Sequence, residues 1–366
     1  MRIASLEARS YRYPLDPPFL AAWDPNPRRF FNETIVIVAT EEGVSGYCGG
    51  ASLPDVDLLA TLLVGASAEE TDRVLALCEA VDFHGGRNWT VEVAIWDALA
   101  RAAGMPLWQF LGGKGDRYRV YQSTGELVGP DQRVERLMAA RDLGVSAAKI
   151  RLGPEWQNDM KVVEAARAAL GGEFALMVDA NQGWRMPADL APRWDLPTAQ
   201  QCSSICDDLD VYWLEEPLDP SQLEAYAELR STSSTRIAAG EMVRSLDASR
   251  RLTDVVDVIQ TDVVLAGGVG GCRRVAGWAV EKGIQWSPHT WTTGFGLIAN
   301  LHVALAFSKA PYLEYPFDPP AWTVERRDFM LPQPLSLDGE GNVVAPDGPG
   351  LGVVPDFDFL DKWRVG

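Results

Sequence analysis

The sequence predicts an α/β protein in two parts: an α+β domain over residues 1–113 and a closed barrel of eight parallel strands over residues 114–330. Three observations predict it. Eight short apolar runs alternate with amphipathic helical patterns from about residue 117 onward. The first hundred residues mix strand and helix signals instead. The 366 residues, 47% of them hydrophobic, exceed what one ordinary small core organises.

In the first part, Thr34-Ile-Val-Ile-Val-Ala-Thr40 is β-branched, and Glu41-Glu-Gly-Val-Ser-Gly46 reads as a turn into another strand, so a meander is expected. The stretch from Pro14 to Pro27 holds too many prolines for a strand or helix interior and reads as a mobile loop anchored by Phe19 and Trp23. Thr90 is the expected cap of a helix whose apolar positions Val91, Ala94, Ile95, Ala98, Leu99 and Ala102 recur with helical period. That helix stops at Gly104, ahead of Pro106.

The expected barrel strands are Tyr118–Ser123, Ala147–Arg151, Phe174–Val178, Val211–Leu214, Arg236–Ala239, Val258–Thr261, Ile284–Ser287 and Tyr312–Glu314. Helical patterns fill the gaps, and the segment Arg193 to Asp210 looks like a longer insert between the third and fourth strands. After the eighth strand the chain turns Pro- and Gly-rich, so the last helix is expected to be missing. The tail, 331–366, is expected to pack back on the first domain.

Charge and cysteine usage narrow the function. With 33 Lys+Arg against 51 Asp+Glu, the net charge of −18 repels phosphate backbones and anionic membranes, and no basic stripe is present. Neither nucleic acid nor membrane is expected as a partner. The five cysteines are scattered, and Cys202 and Cys206 read as buried thiols on one helix. With only His84, His289 and His302 available, any metal must be held by oxygen. The N-terminus lacks a signal-peptide core and no apolar run reaches about 18 residues, so a cytoplasmic protein is expected.

In such a barrel the site lies at the C-terminal ends of the strands, so the residue after each apolar run carries the information. The third, fourth and fifth runs lead into Asp179, Glu215 and Glu241. Singly, each is an ordinary N-cap or surface residue. Three together on one rim repel and are costly to desolvate, and a hard divalent cation, Mg2+ or Mn2+, relieves both costs. Asp262 follows the next strand and His289 the one after, so the carboxylate can fix the imidazole's tautomer and raise its basicity. Glu314 ends the eighth strand, where it orients a substrate oxygen or makes a structural ion pair. Lys149 and Arg151 alternate on the second strand and face the mouth together, toward a substrate carboxylate or an internal salt bridge.

As a spaced set, Lys149-x-Arg151, Asp179-Ala-Asn181, Glu215-Glu-Pro217, Gly240-Glu241, Asp262 and His289 resemble the enolase superfamily, specifically the mandelate racemase subgroup of the mandelate racemase/muconate lactonizing enzyme type. Glu92 to Gly113 is similar to the end of that family's first domain, so the resemblance spans nearly the whole chain. It implies a (β/α)7β modified TIM barrel beneath an α+β capping domain, Asp179, Glu215 and Glu241 as Mg2+ ligands, and a catalytic His289–Asp262 dyad. Lys149, Arg151 and Glu314 join the catalytic set, and Asn181, Trp23 and Tyr121 are assigned to substrate contact. The loop Pro14–Phe31 and the turn Gly46–Ser52 would shape selectivity, and a homo-oligomer is implied.

Where two-base relatives carry Lys-x-Lys, this chain has Arg151, whose guanidinium stays protonated and is a poor base. The turn Gly46-Tyr-Cys-Gly-Gly50 lacks the acidic residue many relatives have there. Loss of a second base favours a dehydratase over a racemase. The expected activity is Mg-dependent α-proton abstraction from a small-molecule carboxylate through a metal-stabilised enediolate, with dehydration of an aldonate or aldarate. Trp23, Arg28 and Arg29 either engage the sugar acid or are solvated surface. The alternatives are a sugar-acid lactone cycloisomerase, an epimerase or racemase of the same chemistry, and a non-catalytic binding protein. A glycosidase would explain neither Lys149 nor the His289–Asp262 pair.

Overall fold

The computed structural model describes residues 1–50, 55–84 and 87–365. The chain opens with an antiparallel sheet of β1 (Ile3–Phe19), β2 (Arg28–Thr40) and β3 (Ser45–Gly50), followed by α1 (Val56–Leu63), α2 (Thr71–His84), α3 (Trp89–Ala102) and α4 (Leu107–Phe110). α3 is buried on nearly all sides because it lies between this sheet and the barrel. Glu92 fastens the two: its carboxylate accepts from the Val269 and Gly270 amides, at 2.8 and 2.9 Å, at the start of a barrel helix. Gly46 and Gly49 let β3 approach closely. A Cβ on Gly46 would sit 2.0 Å from the Ala94 carbonyl oxygen, and one on Gly49 would sit 2.8 Å from the Phe295 ring.

Three expectations for this part are corrected. Gly46–Gly50 is strand rather than turn, and Ala51 and Ser52 lie outside the described residues. β1 runs on through Pro14, Pro17 and Pro18, leaving a loop of only residues 20–27. The prolines are tolerated because the outer neighbour of β1 pairs only at Ser10 and Tyr11, and the register with β2 shifts between Pro14 and Phe19. α3 begins at Trp89 behind Asn88, so Thr90 lies inside the helix.

The barrel strands are β4 (Arg117–Ser123), β5 (Ala147–Arg151), β6 (Ala175–Asp179), β7 (Trp213–Glu215), β8 (Arg236–Ala239), β9 (Val258–Ile259), β10 (Gln285–Trp286) and β11 (Leu313–Pro316). All pair in parallel, in the order β10-β9-β8-β7-β6-β5-β4-β11. Across the seam between β10 and β11, Ser287 Oγ donates to the Tyr312 carbonyl at 3.0 Å and Thr290 Oγ1 to the Glu314 carbonyl at 2.9 Å. Each of the eight expected runs is a strand, shifted at most a few residues at its ends.

The helices between them are α5 (Pro130–Arg141), α6 (Trp156–Leu170), α7 (Leu196–Asp208), α8 (Leu223–Thr232), α9 (Leu246–Leu252), α10 (Gly268–Lys282) and α11 (Gly294–Phe307). Between β11 and the tail only the four-residue α12 (Val324–Arg327) is present among the described residues, in keeping with a (β/α)7β barrel. The segment Arg193 to Asp210 is no insert: it holds α7, capped by Asp195 and carrying Cys202 and Cys206, both buried. In the tail, β12 (Asn342–Val344) pairs with β4, then come α13 (Phe357–Leu360) and β13 (Arg364–Val365), which pairs with β1. The tail therefore packs on the barrel as well as on the first domain. Among the described residues no helix is long and apolar enough to cross a membrane.

Inside the barrel, Tyr121, Ala147, Met177, Trp213, Ala238 and Val258 pack as one buried layer. The strand period of two then places Ser123, Lys149, Asp179 and Glu215 one layer higher, toward the strand ends.

Candidate active site

Strand register assembles the first half of the site. Arg151 on β5 pairs with Asp179 on β6, and Asp179 with Glu215 on β7, so three charged residues stand at one level. Glu241 follows β8 through Gly240, whose φ of +114° disfavours any side chain there. The carboxylates of Asp179, Glu215 and Glu241 are buried, with oxygens within 4.8 Å of one another. Lys149 Nζ lies 2.5 Å from Glu215 Oε1, 2.9 Å from Glu314 Oε1 and 3.4 Å from Asp179 Oδ2. Arg151 Nη1 donates to Asp179 Oδ2 at 2.5 Å.

Two cations do not satisfy this set. Burial, followed by the nearby Asp179 charge, pushes the Glu215 carboxyl up to about 8. Glu241 Oε1 accepts from Trp184 Nε1 at 2.5 Å, while its Oε2 is buried without a hydrogen-bond partner among the described residues. Burial opposes the charge of Lys149, but the Glu215 and Glu314 carboxylates outweigh it and hold the ammonium form.

The second half is the pair His289 and Asp262. His289 Nδ1 is 2.9 Å from Asp262 Oδ2. The other oxygen, Oδ1, accepts from the Val264 amide at 2.7 Å, the Leu265 amide at 3.2 Å and Asn300 Nδ2 at 3.2 Å. These bonds fix the carboxylate at the head of a π-helical turn, Val263–Gly267. His289 Nε2 points the other way and lies 3.5 Å from Glu241 Oε2. Burial alone would lower the imidazole pKa, yet the Glu241, Glu314 and Asp262 carboxylates push it up to about 9.

His289, Glu241, Arg151, Trp23 and Trp291 share the lining of one cavity of about 590 Å3. The Arg151 guanidinium lies 4.5 Å from the Trp23 ring centroid, and Trp23 meets Trp291 edge-on at 4.8 Å. Arg28 also lines the cavity and pairs with Asp24 at 2.9 Å, whereas Arg29 is exposed outside it.

Not every expected site residue reaches this space. Asn181 lines a smaller recess of about 200 Å3 beside it, with its Nδ2 unpartnered among the described residues. Tyr121 lies in the apolar layer beneath Lys149 and does not reach the cavity, because β4 presents Ser123 at the upper level. Glu314 sits under the lining too: Oε1 bonds Ser123 Oγ at 2.7 Å, Oε2 takes the Thr290 amide at 2.5 Å, and Lys149 completes an ion pair. Burial raises the Glu314 carboxyl, but Lys149, His289 and Arg151 bring it down to about 2.

Several lining residues escaped the sequence reading, among them Trp184, Arg87, Arg185 and Trp291. Trp184 lies five residues past Asp179, and an aromatic in the polar loop after an acidic strand end was an available signal. Arg87 lies beside Gly85-Gly86 and gave none.

The chain belongs to the mandelate racemase/muconate lactonizing enzyme family of the enolase superfamily. Residues 30–112 match the mandelate racemase/muconate lactonizing enzyme N-terminal domain, and residues 132–359 the enolase C-terminal domain-like model. It is 28% identical to a D-galactarolactone cycloisomerase of Agrobacterium fabrum across 100% of this chain and 99% of that protein. An L-talarate/galactarate dehydratase of Salmonella typhimurium is 30% identical over 71% of this chain and 61% of its own length. The crystal structure of L-talarate dehydratase from Polaromonas sp. JS666, complexed with Mg and L-glucarate, superposes with a TM-score of 0.84 at 25% identity. It covers 100% of this chain and 98% of that one.

Proposed function

We propose that this protein removes the α-proton of a sugar acid and expels the β-hydroxyl, releasing a 2-keto-3-deoxy acid. The observation that carries the reading is that His289 Nε2 lies 3.5 Å from Glu241, the member of the Asp179–Glu215–Glu241 set that lines the cavity, while Arg151 is tied to Asp179. Mg2+ fits that set: the donors are hard oxygens, buried and crowded, and Glu241 Oε2 is orphaned. When bound it supplies positive charge to the substrate carboxylate as negative charge grows there.

The chain's own residues do the rest. His289 Nε2 accepts the α-proton while Nδ1–H donates to Asp262. The C–H electron pair moves between the carboxyl carbon and the α-carbon, giving an enediolate. Its collapse breaks the β C–O bond, the departing hydroxide takes the proton from Nε2 and leaves as water, and the enol tautomerises to the keto acid. Arg151 donates to the substrate carboxylate from the lining, and Lys149 holds Glu215 and Glu314 behind it. Trp23 and Trp291 exclude water from the reacting face, and Asn181 contacts the sugar from the adjoining recess. A homo-oligomer working in the cytoplasm completes the proposal, and the net charge of −18 supports the part that leaves out nucleic acid and anionic membranes.

A second reading, cycloisomerisation of a sugar-acid lactone, is favoured by the full-length alignment with the Agrobacterium enzyme. Incubating acid sugars and their lactones with Mg2+ in D2O separates the two. A keto-deoxy acid marks dehydration, and an isomer of unchanged mass apart from deuterium marks cycloisomerisation. If no compound exchanges its α-proton while Mg2+ is bound, both readings fail.

A further inference from the structure

We propose that Arg87 forms a second carboxylate subsite in the same cavity, so that the substrate is a sugar diacid rather than a monoacid. The inference rests on the sugar-acid reading above. Four arginines, Arg28, Arg87, Arg151 and Arg185, line the cavity. Three have a carboxylate of their own: Arg28 pairs with Asp24 at 2.9 Å, Arg151 with Asp179 at 2.5 Å and Arg185 with Asp189 at 3.4 Å. Among the described residues Arg87 has no carboxylate within 4 Å, and its Nη1 reaches only the soft Met242 Sδ, at 3.4 Å.

Arg87 is half-buried, and burial followed by the neighbouring Arg244 cation disfavours its charge. The Asp262, Asp82 and Glu241 charges offset part of that cost, but none forms an ion pair with Arg87. A guanidinium does not shed its proton, so a desolvated one without a paired anion is a position prepared for an anion. Its planar fork fits a carboxylate through two parallel bonds. Arg87 comes from the capping domain just ahead of α3 and reaches the residue next to Glu241, whereas Arg151 rises from the barrel beside Asp179. The cavity thus presents two cations on different elements, one beside the triad and one on the cap, to a ligand with an anionic group at each end. Its volume of about 590 Å3 lies within the roughly 300–1,000 Å3 usual for small-molecule sites. Diacids and monoacids both occur among the relatives' names, talarate and galactarate against arabinonate and gluconate, and Arg87 selects between them.

The test compares kcat/KM for a hexarate, the matching hexonate and the phosphorylated hexonate, with Mg2+, in the full-length protein and its Arg87→Met and Arg87→Lys variants. Melting temperatures confirm folding. The wild type is expected to prefer the hexarate, and Arg87→Met to lower the hexarate-to-hexonate ratio by about 10–100-fold, with Arg87→Lys losing less. Quenching of tryptophan fluorescence by an unreactive dicarboxylate should weaken in parallel. A wild-type preference for the hexonate or its phosphate, or a ratio unmoved in Arg87→Met, overturns the diacid assignment alone. Absence of α-proton exchange with every acid overturns the sugar-acid reading and this inference with it.

Discussion

Replacing Asp262 by Asn isolates the role of the carboxylate behind His289. The amide oxygen can keep the bonds from Val264 N and Leu265 N, so the π-helical turn is retained and the new NH2 is forced to face His289 Nδ1. A donor at that position makes Nδ1 the acceptor and moves the ring proton to Nε2. The nitrogen that must take the α-proton is then already protonated. A wrong-tautomer trap of this kind costs on the order of 10⁴-fold in rate, or about 5 kcal/mol at roughly 1.4 kcal/mol per factor of ten. The assay is α-deuterium incorporation in D2O at saturating Mg2+, followed by NMR, with melting temperature and Mg2+ affinity as controls. A folded, Mg2+-binding Asp262→Asn protein that exchanges within tenfold of the wild type would refute the tautomer role.

Three further perturbations address the surroundings of the site. Lys149→Met leaves Glu215 and Glu314 buried without their ammonium and is expected to lose about 3–5 kcal/mol in urea unfolding with EDTA, part of it recovered by excess Mg2+. Trp184→Phe removes the donor to Glu241 Oε1 and should weaken Mg2+ binding about 10–100-fold by calorimetry. His302 is buried between the Trp108 amide and the Leu351 carbonyl, and burial lowers its pKa to about 4. The unfolded chain therefore takes up that proton first. The stability His302 supports is full above about pH 6.5 and is lost as pH falls toward 4, up to about 3 kcal/mol. His302→Gln should flatten the stability-versus-pH curve across that window, which denaturant titrations at stepped pH would read.

The parts of the site legible in the sequence were those carried by strand ends. Asp179, Glu215 and Glu241 each follow an apolar run, and Asp262 and His289 follow the next two, so parallel order alone brings them to one rim. What depended on partners distant in sequence was not legible. Whether Pro14, Pro17 and Pro18 break β1 depends on how far β13 reaches along it. Gly46–Gly50 becomes strand because β2 pairs with it and α3 presses on it. Tyr121 and Ser123 differ in height along β4, and only the packed barrel shows that the tyrosine lies in the floor. That Arg87 has no carboxylate within ion-pair distance among the described residues is a property of space with no trace in composition. α7 was different: Asp195 ahead of Pro197 is a helix-start signal, present in the sequence and passed over.

The most direct test of Mg2+-dependent α-proton abstraction by His289 is deuterium exchange at the α-carbon of the best sugar-acid substrate, compared between wild type and His289→Asn. The wild type with Mg2+ should exchange and form the keto-deoxy acid. EDTA should abolish both, and the variant should lose at least about 10²–10⁴-fold of both while still binding Mg2+. Exchange by a folded His289→Asn protein at near the wild-type rate, or undiminished exchange in EDTA, would contradict it.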